Sequence, residues 1–291
     1  MSKTLAGIFA PVVTPFQRET EDLDLHGFRS NLQAHLADGL AGIVLAGSTG
    51  EAALLSEEER ATLVRVAREV VPSDRWLIVG TGAESTRQCV TRCLAAQAAG
   101  ADAVLVVAPH YYSAAMSAAA LAAHYHRVAD ESPLPLLLYN IPKYMHFALP
   151  AELVAELAKH ENVIGIKDSS GDLEMLKGFL KAQSASFSVI TGSASGLQVG
   201  LEAGARGGIL AASLFAAPIA LEVVAALRAG DAPRAAAAQA KLKPMADVIV
   251  AKLGVPGVKA AVDHVGRTGG LPRLPLLPLS KAQRAELVAV L

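Results

Sequence analysis

Short apolar runs alternate along the chain with longer segments in which apolar positions recur every three or four residues. The short runs predict strands at 7–13, 42–46, 76–80, 103–108, 136–139, 163–167, 188–191 and 207–211. The longer segments predict helices near 25–38, 57–71, 84–99, 116–130, 150–160, 172–183, 194–204 and 214–229. The strand runs are almost continuously apolar, as parallel strands covered by helices must be. Ser56-Glu57-Glu58-Glu59 reads as a capping box, Pro150 suits a first helical turn, and Gly39, Gly100 and Gly204 suit helix ends. Eight strand–helix units in sequence predict a (β/α)8 TIM barrel rather than an open sheet.

Beyond Gly230 the pattern changes. Residues 232–252, 255–266 and 280–291 read as helices, and no further strand is convincing. The expected organisation is a barrel over 1–229 and a C-terminal helical extension over 230–291, entered through Gly230-Asp231-Ala232-Pro233. The stretch from Gly269 to Pro275 reads as an irregular connector. Composition agrees with a packed domain. Of 291 residues, 52% are hydrophobic and 18% charged, which excludes intrinsic disorder. Much of the apolar content is alanine, as in Arg234-Ala-Ala-Ala-Ala-Gln239, the mark of closely packed helix. A balance of 26 Lys+Arg against 27 Asp+Glu gives no basic surface for nucleic acid. The longest uncharged stretch, 103–123, is broken by Pro109-His110-Tyr111-Tyr112-Ser113, so no membrane span is expected. Met1-Ser2-Lys3-Thr4-Leu5 has no apolar signal core, and the expected location is the cytoplasm. Cys89 and Cys93 read as buried thiols, and His124 and His126, two residues apart, do not share a helix face as metal ligands would.

In such a barrel, chemistry belongs at the C-terminal ends of the strands. Lys167 closes the run Val163-Ile164-Gly165-Ile166-Lys167. Alternation sets Val163, Gly165 and Lys167 on one face and the two isoleucines on the other, so Lys167 points into the barrel mouth. Desolvation favours a neutral amine, the form that attacks a carbonyl. The alternative is a structural ion pair with Asp168 or Glu51. Tyr139 ends the preceding apolar run, and its phenol either shuttles a proton or plugs the barrel. Gly47-Ser48-Thr49-Gly50-Glu51 follows the second strand, with glycines that allow a tight turn and hydroxyls that suit a small carboxylate. Its alternative is a glycine turn capped by hydroxyls. Thr191-Gly192-Ser193 and Gly207-Gly208 are weaker candidates for lining a ligand or phosphate site.

Taken together, Gly47-Ser48-Thr49-Gly50-Glu51, Tyr139-Asn140-Ile141-Pro142 and Gly165-Ile166-Lys167-Asp168 resemble the dihydrodipicolinate synthase / N-acetylneuraminate lyase family in order and spacing. The resemblance runs from Gly7-Ile8-Phe9 to the C-terminal helices. It implies a class I aldolase that forms a Schiff base with pyruvate or a related 2-oxo acid. It also implies no metal or organic cofactor, and a homotetramer built as a dimer of dimers. By the same resemblance, Lys167 is the Schiff-base lysine and Tyr139 mediates proton transfer. Ser48 and Thr49 hold the 2-oxo acid carboxylate, with Ser48 also in the proton relay. Tyr112, or Tyr111 one position away, is lent to that relay by a neighbouring subunit. Gly192 and Ile209 line the substrate.

The family's dihydrodipicolinate synthases carry an arginine two residues after the proline of Tyr-Asn-x-Pro. Here that position is Tyr144, so Tyr144 is expected at the aldehyde end, and the neighbouring Lys143 lacks arginine's bidentate fork. Tyr111-Tyr112-Ser113-Ala114-Ala115-Met116-Ser117, Lys167-Asp168-Ser169-Ser170-Gly171-Asp172 and Gly254-Val255-Pro256-Gly257-Val258-Lys259 look closer to the 4-hydroxy-2-oxoglutarate aldolase branch. The expected reaction is therefore cleavage or formation of a 4-hydroxy-2-oxo acid from pyruvate and glyoxylate. Condensation of pyruvate with aspartate semialdehyde is the alternative, and a sugar-acid lyase comes third. From other classes stand a catalytically silent 2-oxo acid binding protein and a phosphate-binding barrel using Gly192 and Gly207-Gly208.

Overall fold

The computed structural model describes residues 4–291; residues 1–3, part of the N-terminal stretch read for a targeting signal, lie outside it. Eight parallel strands close into a barrel in sequence order, with β1 also pairing β8. They are β1 (Gly7–Pro11), β2 (Gly42–Leu45), β3 (Trp76–Gly80), β4 (Ala103–Val107), β5 (Leu136–Asn140), β6 (Val163–Asp168), β7 (Ser188–Thr191) and β8 (Gly207–Ile209). Between them run α1 (Leu25–Ala37), α2 (Glu57–Val70), α3 (Thr86–Ala98), α4 (Ala118–Glu131), α5 (Pro142–Met145), α6 (Ala151–Leu157), α7 (Leu173–Leu180) and α8 (Leu197–Glu202). After β8 come α9 (Ser213–Arg228), α10 (Ala232–Met245), a π-helical segment (Ala246–Lys252), α11 (Gly254–His264) and α12 (Lys281–Val288). No helix among the described residues is long and apolar enough to cross a membrane.

Local chemistry explains most boundaries. The Ser56 hydroxyl accepts from Glu59 N while the Glu59 carboxylate accepts from Ser56 N, so the expected capping box opens α2. Gly39, Gly100 and Gly204 follow α1, α3 and α8 with positive φ. Pro150 is extended (ψ 139) and precedes α6 instead of lying in its first turn. The single helix expected over 232–252 is two pieces. Pro244 has no N–H to give, and the chain passes into the π-helical segment two residues later. The short helix α5, absent from the sequence reading, begins at Pro142, whose ring presets a helical φ.

The strict alternation read along β6 also needs correction. Val163 pairs with Leu136 and Gly165 with Leu137, so Ile164 is an extra residue, and alternation holds only from Gly165 onward. The core is continuous past residue 230. Ala238, Leu242, Ile249, Val258 and Val262 belong to the same buried cluster as the strands, and α11 packs on both α9 and the turn Ser48–Gly50.

Candidate active site

The cross-strand register sets the centre of the site. Tyr139 pairs with Lys167 across β5 and β6, which aims both side chains the same way. Lys167 is 6% exposed, and its Nζ lies 4.2 Å from the centre of the Tyr139 ring. No hydrogen bond or ion pair holds that amine among the described residues. The two carboxylates offered as alternative partners are engaged elsewhere. Asp168 Oδ1 accepts from Asn140 Nδ2 at 2.8 Å, and Oδ2 accepts from the Ser170 hydroxyl at 2.8 Å. Burial pushes the Asp168 carboxyl above its ordinary value, and those donors oppose it.

Glu51 is the other candidate partner, and it binds a second lysine. It sits in the left-handed region (φ 58) directly after the turn Ser48–Gly50 and is 3% exposed. Its Oε1 accepts from Lys259 Nζ at 2.5 Å, and its Oε2 accepts from Arg273 N at 2.8 Å. Lys259 also donates to Thr14 O and Leu271 O, each at 2.8 Å. Burial lowers the Lys259 ammonium from its ordinary value, and Glu51 pulls it back. The carboxylate at the end of the turn is therefore a brace to the C-terminal extension. The Ser48 and Thr49 hydroxyls, half-buried, have no hydrogen-bond partner among the described residues.

Lys167, Tyr139, Ser48, Thr49, Gly192, Ile209 and Tyr144 all line one cavity of about 480 Å³. Gly192 is required by close approach, because a Cβ there would lie 1.9 Å from Ser169 Oγ. Burial, then the nearby Tyr139, raise the Tyr144 phenol above its ordinary value. Tyr112 is not in the cavity wall of its own chain. It is 71% exposed, with Tyr111 at 77% and the two rings edge to face at 5.0 Å. Gly207 and Gly208 do not line the cavity either, and their reading as ligand positions is corrected. A Cβ on Gly207 would lie 2.0 Å from Gly7 O, at the seam that closes the barrel, and one on Gly208 would lie 2.8 Å from the Leu210 side chain. Cys89 and Cys93 are buried, His124 accepts or donates at Thr86 Oγ1, and His126 pairs with Glu156.

Several wall residues were not foreseen. Ala246, Val250, Ala251, Val255 and Val258 bring the C-terminal extension to the mouth, and Ser169, Ser170 and Ser195 add hydroxyls. The serines after Lys167 stood at a strand end and were open to the same reasoning that found it. The C-terminal residues carry no local signal, since only long-range packing places them here.

Comparison with known proteins points one way. The Dihydrodipicolinate synthetase family is matched over residues 4–291. A 4-hydroxy-tetrahydrodipicolinate synthase of Xanthomonas axonopodis pv. citri is 38% identical, over 97% of this chain and 92% of its own length. Another, of Methanoculleus marisnigri, is 35% identical over 98% of both chains. Among solved structures, a dihydrodipicolinate synthase of Bacillus anthracis superposes with TM-score 0.95 at 29% identity, over 99% of this chain and 98% of that one. A prophage protein of the dihydrodipicolinic acid synthase family from E. coli K12, solved in complex with pyruvate, gives TM-score 0.92 at 30% identity over 98% and 97%.

Proposed function

Since the chain belongs to the dihydrodipicolinate synthetase family, a family of class I pyruvate-type lyases, we propose that it condenses pyruvate with aspartate semialdehyde through an imine on Lys167. The observation that carries this reading is a buried amine with no hydrogen-bond or ion-pair partner among the described residues, facing the Tyr139 ring in a cavity shared with Ser48 and Thr49. Lys167 Nζ adds to the C2 carbonyl of pyruvate, and loss of water leaves an iminium. The aromatic face beside Nζ favours that cation. The Ser48 and Thr49 hydroxyls and the backbone of their turn hold the carboxylate, so the methyl group is presented in a fixed pose. Tyr139 takes a methyl proton as the enamine forms and returns it to the aldehyde oxygen as the new C–C bond closes. The amine of aspartate semialdehyde then displaces Lys167 and closes a ring. The exposed Tyr112 extends the proton path from a second copy of the chain.

A second reading, 4-hydroxy-2-oxoglutarate aldolase chemistry, is favoured by one observation. Tyr144 stands in the cavity wall where the family's synthases carry arginine. Glyoxylate has no amine, so water would release Lys167. The names of the relatives favour the first reading.

One experiment tests the class and a second separates the readings. Mixing the protein with pyruvate and borohydride should leave a reduced pyruvyl adduct on Lys167 in the peptide mass spectrum. A folded protein with no adduct refutes the imine. Given an adduct, turnover with aspartate semialdehyde but not glyoxylate sustains the synthase, and the reverse preference selects the aldolase.

A further inference from the structure

Tyr111 and Tyr112 stand outside the cavity of their own chain, and one side chain from elsewhere grips the loop that carries them. That side chain is Glu84, between β3 and α3. It is exposed, and it precedes Ser85, whose hydroxyl caps α3 by accepting from Gln88 N. Glu84 Oε2 accepts from His110 N at 3.0 Å and from Tyr111 N at 2.9 Å. Its Oε1 lies 3.3 Å from His110 Nδ1, which also faces Ala108 O at 3.0 Å. Both neighbours of that nitrogen are acceptors, so Nδ1 carries a proton. One carboxylate thus gathers two consecutive backbone N–H groups and a ring N–H. Past the two tyrosines, Ala115 N donates to Tyr112 O at 2.9 Å and opens the tight turn Ser113–Ala115. Among the described residues, every other hydrogen bond of residues 110–116 stays within 108–117. At an exposed position water satisfies backbone N–H groups as well as a carboxylate does, so the grip contributes order to the loop rather than burial.

We propose that Glu84 is a positioning residue that acts across the subunit boundary: it holds residues 110–112 in the pose from which the tyrosine reaches the reaction centre of a second copy. The proposal rests on the imine and the borrowed tyrosine above. A phenol that relays a proton must stand within about 3 Å of its partners. A loop free to fluctuate meets that distance for only part of the time, and the relay slows by the same fraction. Bonds from backbone N–H groups to a carboxylate are charge-assisted, the stronger kind, and here they fix the chain one residue before Tyr112. Glu84 does not line the cavity of its own chain. Its effect therefore belongs in the neighbour's site and not in its own.

The readout is exchange of the pyruvate methyl protons with D2O, followed by proton NMR. It needs the enamine and the proton path but no aldehyde. Glu84→Ala should slow exchange by roughly tenfold, the worth of one hydrogen bond to a charged group. Glu84→Gln keeps an acceptor oxygen at the same reach and should stay within about threefold. In both variants the denaturant midpoint and the pyruvate concentration for half-maximal borohydride trapping on Lys167 should be unchanged. Mixed assemblies then assign the side on which Glu84 acts. One chain carries Lys167→Met and keeps its tyrosines; the other keeps Lys167 and carries Tyr111→Phe with Tyr112→Phe. With equal co-expression, about a quarter of the sites join an intact lysine to a neighbour's intact tyrosine, and exchange should recover in that proportion. Adding Glu84→Ala to the lysine-deficient chain should cut the recovered exchange by roughly tenfold. Adding it to the tyrosine-deficient chain should leave that exchange as it was. Exchange at the wild-type rate in Glu84→Ala, or an equal loss from either chain, overturns the proposal. Two other failures are distinct: mixed assemblies that recover nothing show that no tyrosine is lent, and wild-type protein that traps no pyruvate removes the imine. Either one takes the Glu84 proposal with it.

Discussion

Lys259 and Lys167 are both buried, at 0% and 6% exposure, yet their surroundings differ in kind. Lys259 has a carboxylate and two carbonyls within 2.8 Å, one acceptor for each of its three protons. Lys167 has an aromatic face and, among the described residues, no acceptor. The same turn joins them, since Ser48 and Thr49 share the cavity with Lys167 and Glu51 reaches Lys259. A buried ammonium without partners is costly, so a fold that needs one for stability surrounds it with acceptors. On the proposed reading, the Lys167 side chain is left bare for a ligand. Burial alone therefore does not mark a chemical lysine; the missing partners do.

Exchanging each lysine for methionine is the strongest way to break this comparison. Lys167→Met should abolish the borohydride-trapped adduct and lower turnover by about a thousandfold or more, since the proposed nucleophile is gone. Its unfolding free energy should move by less than about 1 kcal/mol, as no hydrogen bond or ion pair among the described residues is lost and methionine can still pack on the Tyr139 ring. A loss of stability near that of Lys259→Met would show that Lys167 also braces the barrel. Lys259→Met strands a buried Glu51 carboxylate and should cost about 3–5 kcal/mol in denaturant unfolding. Adding Glu51→Gln should recover about 1 kcal/mol or more, because no uncompensated charge then remains. If the double variant is no better than the single, the carbonyls and not the ion pair carry the brace.

The two lysines were not equally legible in the sequence. Lys167 announced itself, because a charge at the end of a β-branched run at a strand's C-terminal end breaks the local pattern. Tyr139 and Ser48 followed by the same logic, and the strand order of the barrel came from the alternation of short and long runs. Lys259 did not stand out. It sits in a helix among Val258, Ala260 and Ala261, and its partner Glu51 is 208 positions away. The tether of Lys143 to Ala251 spans 108 positions. Local periodicity reports which face of an element is buried, but it cannot name the partner across such separations. Gly207-Gly208 misled for the opposite reason: glycines kept small by the β1 backbone and by the Leu210 side chain look, in one dimension, like glycines kept for a ligand.

Thr14 offers the finest test, because it touches both regions. Its carbonyl accepts from Lys259, while its hydroxyl, 2% exposed as a residue, donates to Gly50 O at 2.8 Å, at the end of the turn that carries Ser48 and Thr49. Thr14→Val keeps the shape and the carbonyl and removes only that donor, which leaves Gly50 O without its side-chain partner. The expected stability loss is about 1 kcal/mol, the ordinary worth of one buried hydrogen bond. If the brace also positions the turn, the pyruvate concentration for half-maximal trapping should rise by about threefold, with the maximal extent of trapping unchanged, since a fraction of that energy then appears in binding. A stability loss without any change in half-saturation would confine the brace to folding. The turn would then owe its binding geometry to its own backbone, and the two lysines would be independent in function as well as in surroundings.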